Sequence, residues 1–221
     1  MRGLLERFLV RQLRRDLRRI EWIGGLPRLP ADRPVVIYAN HTAFHDSLIL
    51  GFLARRMLGR EPCVWMEEYD RFPVFRWVGA LPFPPDDPNR RYATIRRTAA
   101  RMRDPRTALI YFPEARLHPF EEGVLEFPPE VFPRLGEVLP ASLWWPVALK
   151  LSIWETARPV ATLTGGVAET KPRGDERERL ASLLPRLENV EGKRTFLLEG
   201  KRGPDERWGW AARLLAGGKD A

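Results

Sequence analysis

The chain has 221 residues, 44% of them apolar and 30% charged, enough for one globular domain that buries roughly 70% of its unfolded surface. A single cysteine, Cys63, excludes a disulfide-rich scaffold and any zinc cluster built from cysteines. Thirty-seven Lys and Arg against 29 Asp and Glu leave a net charge of +8, which points to an anionic partner: nucleic acid, a membrane surface or a phosphorylated substrate.

Met1 to Ile20 carries seven arginines (Arg2, Arg7, Arg11, Arg14, Arg15, Arg18 and Arg19) against Glu6 and Asp16, so five of the eight net charges lie there. Leu5, Phe8, Leu9, Leu13, Leu17 and Ile20 recur at steps of three and four, which predicts a basic amphipathic helix. Such a helix either lies on anionic lipid or docks its Leu face on the domain and solvates its arginines. No run reaches the ~18 apolar residues of a membrane span, and no clean apolar segment marks a secretory signal, so the expected setting is the cytoplasm.

Leu26 to Arg33, with its prolines, reads as a linker. Pro34 to Ala39 reads as a buried strand, Ser47 to Leu58 as an apolar helix, and Cys63 to Met66 and Trp77 to Phe83 as strands. Asn89 to Arg103 is a basic amphipathic helix and Thr107 to Phe112 another strand. Leu143 to Ile153 and Pro159 to Leu163 are later strands; Asp175 to Leu187, broken near Pro185, and Asp205 to Leu215 are terminal helices. The alternation predicts an α/β domain with a mixed, largely parallel sheet flanked by helices, preceded by the N-terminal basic amphipathic helix. The expected division is a membrane-surface helix in residues 1–25 and the α/β domain in residues 26–221.

The three histidines all follow predicted strands. His41 and His45 lie in Asn40-His41-Thr42-Ala43-Phe44-His45-Asp46, and His118 follows Phe112-Pro113-Glu114-Ala115-Arg116-Leu117. Ligands of open α/β sheets bind beyond the carboxyl ends of the strands, so both segments are expected at one cleft. None of Ser47, Ser142, Ser152 and Ser182 stands in a G-x-S-x-G elbow, which removes that hydrolase class. His41 and His45 have metal-ligand spacing, but Thr42 occupies the place where H-E-x-x-H needs Glu, and no metal is expected. What remains is general-base catalysis: Asp46, five residues after His41 across a strand-to-helix turn, can hold one ring nitrogen while the other takes a proton. The plainer alternative makes Asp46 a helix N-cap.

Asn-His-x-x-x-x-Asp followed downstream by Phe-Pro-Glu resembles the glycerolipid acyltransferases, the 1-acyl-sn-glycerol-3-phosphate acyltransferases and their relatives. The likeness runs from about Pro34 to Leu151: Asn40, His41 and Asp46 match the first block, and Phe112-Pro113-Glu114 opens the third. Trp144-Trp145-Pro146-Val147-Ala148 resembles the fourth. Two blocks depart from the pattern. Ala115 replaces the glycine of F-P-E-G and Arg116 arrives one place early, while Pro85 holds the arginine position of the block that begins at Gly79, leaving Arg90 or Arg91 to substitute.

The resemblance implies that His41 deprotonates an acceptor hydroxyl, which attacks the thioester of acyl-CoA or acyl carrier protein, with Asp46 orienting His41. Asn40, Glu114, Arg116, Arg90 and Arg91 would bind substrate, and backbone N–H groups near the helix start would stabilise the oxyanion. The acyl thioester is a co-substrate and no cofactor is implied. The acceptor is a lysophospholipid or another lipid alcohol such as a glycosylated carotenoid, and the expected site of action is the cytoplasmic face of an anionic membrane, bound peripherally or monotopically. Cys63 reads as a buried thiol, His45 as a packing or cleft residue, and His118 as a surface or rim residue. The rival class is a nucleic-acid binder, which would use some of the eight tryptophans for stacking. Trp144, Trp145 and Trp154 fall in or beside apolar strands, which leaves Trp208 and Trp210 near Arg207 and Arg213 as the best case; nucleic acid is not expected as a partner.

Overall fold

The computed structural model describes residues 2–153, 157–188 and 193–201. The expected helix over Asp205 to Leu215, with Trp208 and Trp210, lies outside these residues, as does Trp154. In chain order the elements are α1 (Arg2–Asp16), β1 (Arg19–Ile23), β2 (Val35–Ala39), α2 (Asp46–Phe52) with a π-helical turn Leu53–Met57, and β3 (Glu61–Met66). A 3₁₀ segment Pro73–Val78, β4 (Ala80–Pro82), α3 (Pro88–Arg101), β5 (Thr107–Tyr111), a 3₁₀ turn Phe120–Glu122 and α4 (Val131–Val138) follow. The chain continues through β6 (Leu143–Ser152), β7 (Val160–Gly165), α5 (Glu176–Ala181), α6 (Leu184–Glu188) and β8 (Arg194–Glu199).

The eight strands form one sheet in the order β4-β3-β5-β2-β6-β7-β1-β8. The five strands from β4 to β6 are mutually parallel, β7 runs against β6, β1 runs with β7, and β8 closes the edge antiparallel to β1. β2 reads Val-Val-Ile-Tyr-Ala and is buried at every position, as a central parallel strand covered on both faces must be. Alternate residues supply two cores. Ile37, Ile110, Trp145 and Trp22 meet Leu13 of α1, Leu17 just beyond its end, and Ile49 and Leu50 of α2 on one face. On the other face Val36, Tyr38, Leu109 and Trp144 meet Phe132 and Leu135 of α4 and Leu180 of α5. Trp144 and Trp145 are therefore sunk in opposite cores, and neither can stack on a base.

Four segments differ from the sequence-based expectation. The N-terminal helix stops at Asp16, because Ile20 and Trp22 alternate with Glu21 and Ile23 across the sheet as a strand. Buried Glu21 accepts from Arg19 Nε at 3.0 Å and Thr162 Oγ1 at 3.2 Å. Leu13, Leu17, Ile20 and Trp22 belong to the main core. The strand expected over Trp77 to Phe83 shrinks to Ala80–Pro82, since Trp77 completes the 3₁₀ segment. Helix α4 and strand β8 have no counterpart among the sequence-based expectations. Pro133 and Gly136 disguise α4, yet Pro133 sits in its first turn, where no N–H bond is lost. The irregular stretch before β2 is pinned by the buried Arg60 guanidinium, which donates to the carbonyls of Pro30, Arg33 and Pro105.

Gly79, at φ +108°, joins the 3₁₀ segment to β4 with its Cα pressed on β3: a Cβ there would lie 1.9 Å from Pro62 O. Gly79→Ala therefore combines a left-handed penalty with a backbone clash. It is expected to destabilise the protein by about 2 kcal/mol or more, read as a fall in the urea midpoint.

Candidate active site

The exits of β2 and β5, neighbours in the sheet, bring the two polar segments together. Asn40 leaves β2 first and is fully buried; its amide donates to Leu149 O at 2.8 Å and accepts from Leu149 N at 3.0 Å. This side chain prolongs the pairing of β2 with β6 beyond Ala39, with both its amide atoms committed to backbone.

Asp46 then fixes the loop. Its Oδ2 accepts from Thr42 N at 2.7 Å and Ala43 N at 2.8 Å and lies 3.0 Å from His41 Nδ1. The carboxylate is fully buried, and its Oδ1 has no hydrogen-bond partner among the described residues. A carboxylate holding Nδ1–H leaves Nε2 as the ring nitrogen available to accept a proton. The imidazole stacks on Phe112 with centroids 4.0 Å apart. Thr42 and Ala43, near the helix start, are occupied by Asp46, so their N–H groups are not free oxyanion donors.

Glu114 is buried too and faces the backbone. Its Oε2 accepts from His41 N at 2.6 Å and its Oε1 from Leu125 N at 3.1 Å. His118 N donates to His41 O at 3.2 Å, so the β5 loop grips His41 from its amide and from its carbonyl. His118, expected at the surface or rim, is buried instead: Nδ1 meets Pro119 O at 3.0 Å and Nε2 lies 2.9 Å from Glu114 Oε2, outside hydrogen-bonding angles. The i, i+4 spacing of Glu114 and His118 was the available sequence signal. Ala115 takes φ +55°, the left-handed conformation for which glycine is the easy residue, at the position where the related pattern has Gly.

Arg116 is exposed, makes no ion pair among the described residues, and lines the same cavity as His41. Arg90 and Arg91 are not among the lining residues: Arg90 makes a two-pronged pair with Asp70 at 2.5 and 2.6 Å, and Arg91 lies 6.0 Å over the Phe83 ring. The Arg90 fork also holds the Asp70 carboxyl below its usual range. His45 Nε2 meets Asp16 at 3.2 Å, tying the loop to the end of α1. Burial pushes the Cys63 thiol and the Tyr111 phenol up, so neither serves as a ready nucleophile or base at neutral pH.

From His41 a cavity of about 480 Å³ runs between α1, α2, β3 and the 3₁₀ segment. Leu9, Val10 and Leu13 of α1, Leu48 and Phe52 of α2, and Val64 of β3 are among its walls. Its α1 wall is invisible in sequence, where those residues read only as the apolar face of a helix. The size suits a small-molecule or lipid-chain ligand.

Removing the Glu114 carboxylate leaves the His41 and Leu125 N–H groups without partners in a buried setting. Glu114→Ala is expected to cost about 2–3 kcal/mol, measured by denaturant unfolding.

No curated protein matches the chain. A family model described as Acyltransferase matches residues 23–133, half of the sequence, and spans both polar segments and the β2, β3 and β5 strands that carry them. The chain therefore belongs to the acyltransferase family, the glycerolipid and lysophospholipid acyltransferases.

Proposed function

We propose that this acyltransferase moves a fatty acyl group from the thioester of acyl-CoA or acyl carrier protein to the hydroxyl of a lysophospholipid. The observation that carries the reading is the His41–Asp46 pair, 3.0 Å apart, at the mouth of a largely apolar cavity. His41 Nε2 takes the acceptor hydroxyl proton as its oxygen bonds to the thioester carbonyl carbon. Collapse of the tetrahedral intermediate breaks the C–S bond, and the imidazolium returns the proton to the departing thiolate. Asp46 keeps the ring in the tautomer this requires and stabilises the imidazolium. The acyl chain occupies the cavity, and Arg116, uncommitted at the rim, takes the acceptor phosphate. Asn40 and Glu114 act as positioning residues through the backbone on either side of His41.

His41→Ala is expected to abolish transfer from lauroyl-CoA to lysophosphatidate with an unchanged circular dichroism spectrum. Asp46→Asn is expected to lower kcat by roughly 10³-fold or more. Retained turnover in His41→Ala overturns the assigned base.

The same reading places the enzyme on a membrane. Leu4 and Phe8 are exposed on α1 beside exposed Arg7, Arg11, Arg14 and Arg15, and among the described residues no helix is long and apolar enough to cross a bilayer. An anionic surface offers each arginine about 1 kcal/mol. Replacing Arg7, Arg11 and Arg14 by Gln is expected to weaken co-sedimentation with phosphatidylglycerol vesicles roughly 100-fold at low salt. Binding to single-stranded DNA without binding to vesicles supports the nucleic-acid alternative instead.

A further inference from the structure

The cavity has two chemically different ends. His41, Ala115 and Arg116 are among its lining residues, and so are Glu6, Arg55 and Arg56. The helices establish their separation. Asp16, at the end of α1, meets His45 beside the catalytic loop at 3.2 Å, whereas Glu6, near its start, meets Arg55 at 3.3 Å and Arg56 at 3.4 Å. Arg55 itself stands nine residues beyond Asp46 on α2 and its π-helical turn. β3 has the same polarity: Glu61, its first residue, pairs with Arg55 at 2.8 Å, while Met66, its last, lies toward the carboxyl edge of the sheet that carries His41. The carboxyl ends of the strands thus hold the chemistry, and the amino end of β3 holds the ion cluster.

At ~1.5 Å of rise per residue, Asp46 to Arg55 spans about 13 Å and Glu6 to Asp16 about 15 Å. An extended hydrocarbon with bonds of ~1.52 Å and angles of ~111° advances about 1.25 Å per carbon, so this length holds about twelve carbons. A sixteen-carbon chain needs about 19 Å on the same geometry. Its methyl end would have to enter a charged cluster whose Arg55 side chain is only 13% exposed, displacing ion pairs without offering any hydrogen bond in exchange.

We propose that the Glu6–Arg55–Arg56 cluster is the polar floor of the acyl pocket and restricts the enzyme to acyl chains of about twelve carbons. The proposal rests on the reading of the cavity as the acyl pocket, and names the residues of this chain that set its depth. Glu6 is the key member, because it joins α1 to both arginines of the π-helical turn.

The experiment titrates saturated fatty acids of eight to eighteen carbons into the full chain by calorimetry, alongside turnover of the matching acyl-CoA series. Affinity is expected to rise about fourfold per added carbon up to about twelve carbons, the increment of one buried methylene, and then to level or fall. In Glu6→Leu the rise continues to about sixteen carbons. Arg55→Met, which opens the cluster from the α2 side, moves the limit in the same direction and guards against misfolding of either variant. Affinity that climbs unbroken to eighteen carbons in the unaltered protein overturns the floor, as does a limit that neither substitution moves, or no fatty-acid binding at all. A length limit in binding with no acyl transfer from any donor leaves the floor standing and removes the transferase chemistry. Transfer equal at all lengths does the reverse.

Discussion

The geometry of the candidate site rests on two buried carboxylates that divide one histidine between them. Asp46 reaches the His41 ring from the same β2 exit, and Glu114 reaches the His41 amide across a gap that the sheet has already closed by placing β2 beside β5. Neither acid is solvated, so each must be satisfied by donors held in fixed positions, and those donors are mostly backbone N–H groups of the same two loops. The requirement works in both directions. The loops adopt their turns because the carboxylates need them, and the carboxylates stay buried because the loops supply the hydrogen bonds. The ring is held in one orientation as a result, because it cannot turn without breaking its Asp46 contact and its stacking on Phe112.

The rest of the fold feeds that pair. The Asn40 amide continues the β2–β6 ladder one residue past the strand, so His41 begins its loop from a fixed point. Phe112 stacks on the imidazole from the β5 side, and Ala115 accepts a left-handed backbone so that the loop can turn straight after Glu114. That residue departs from the family glycine, and the chain meets the same conformational demand with a methyl group in place.

Helix α1 serves two purposes that its composition does not separate. Leu13 and Leu17 anchor it in the core, while Leu9, Val10 and Glu6 line the cavity and Leu4 and Phe8 stay exposed. One apolar stripe is thus partitioned along its length between core, cavity and solvent. The charge of +8 has a similar partition: much of it lies on the outer face of α1, Arg55 and Arg56 pair with Glu6, Arg90 pairs with Asp70, and Arg116 is left at the cavity rim.

Local sequence determined the central strands, the α/β class and the two motif segments, because a strand buried on both faces must be an apolar run and a loop carrying chemistry must be polar where the strand ends. It also determined the His41–Asp46 pair, since five residues across a strand-to-helix turn leave few other arrangements. Tertiary structure decided which partner each remaining polar group took. Asn40 and Glu114 were legible as unusual residues, but the atoms they bond to lie 109 and 73 positions away in the chain. Strand β1 was hidden because Leu17 and Ile20 fit a helical stripe, and only β7 and β8 on either side supply the ladder that makes Arg19–Ile23 a strand. The cavity was hidden for the same reason. Its walls come from several separate elements, and a void between elements has no signature in the order of residues along any one of them.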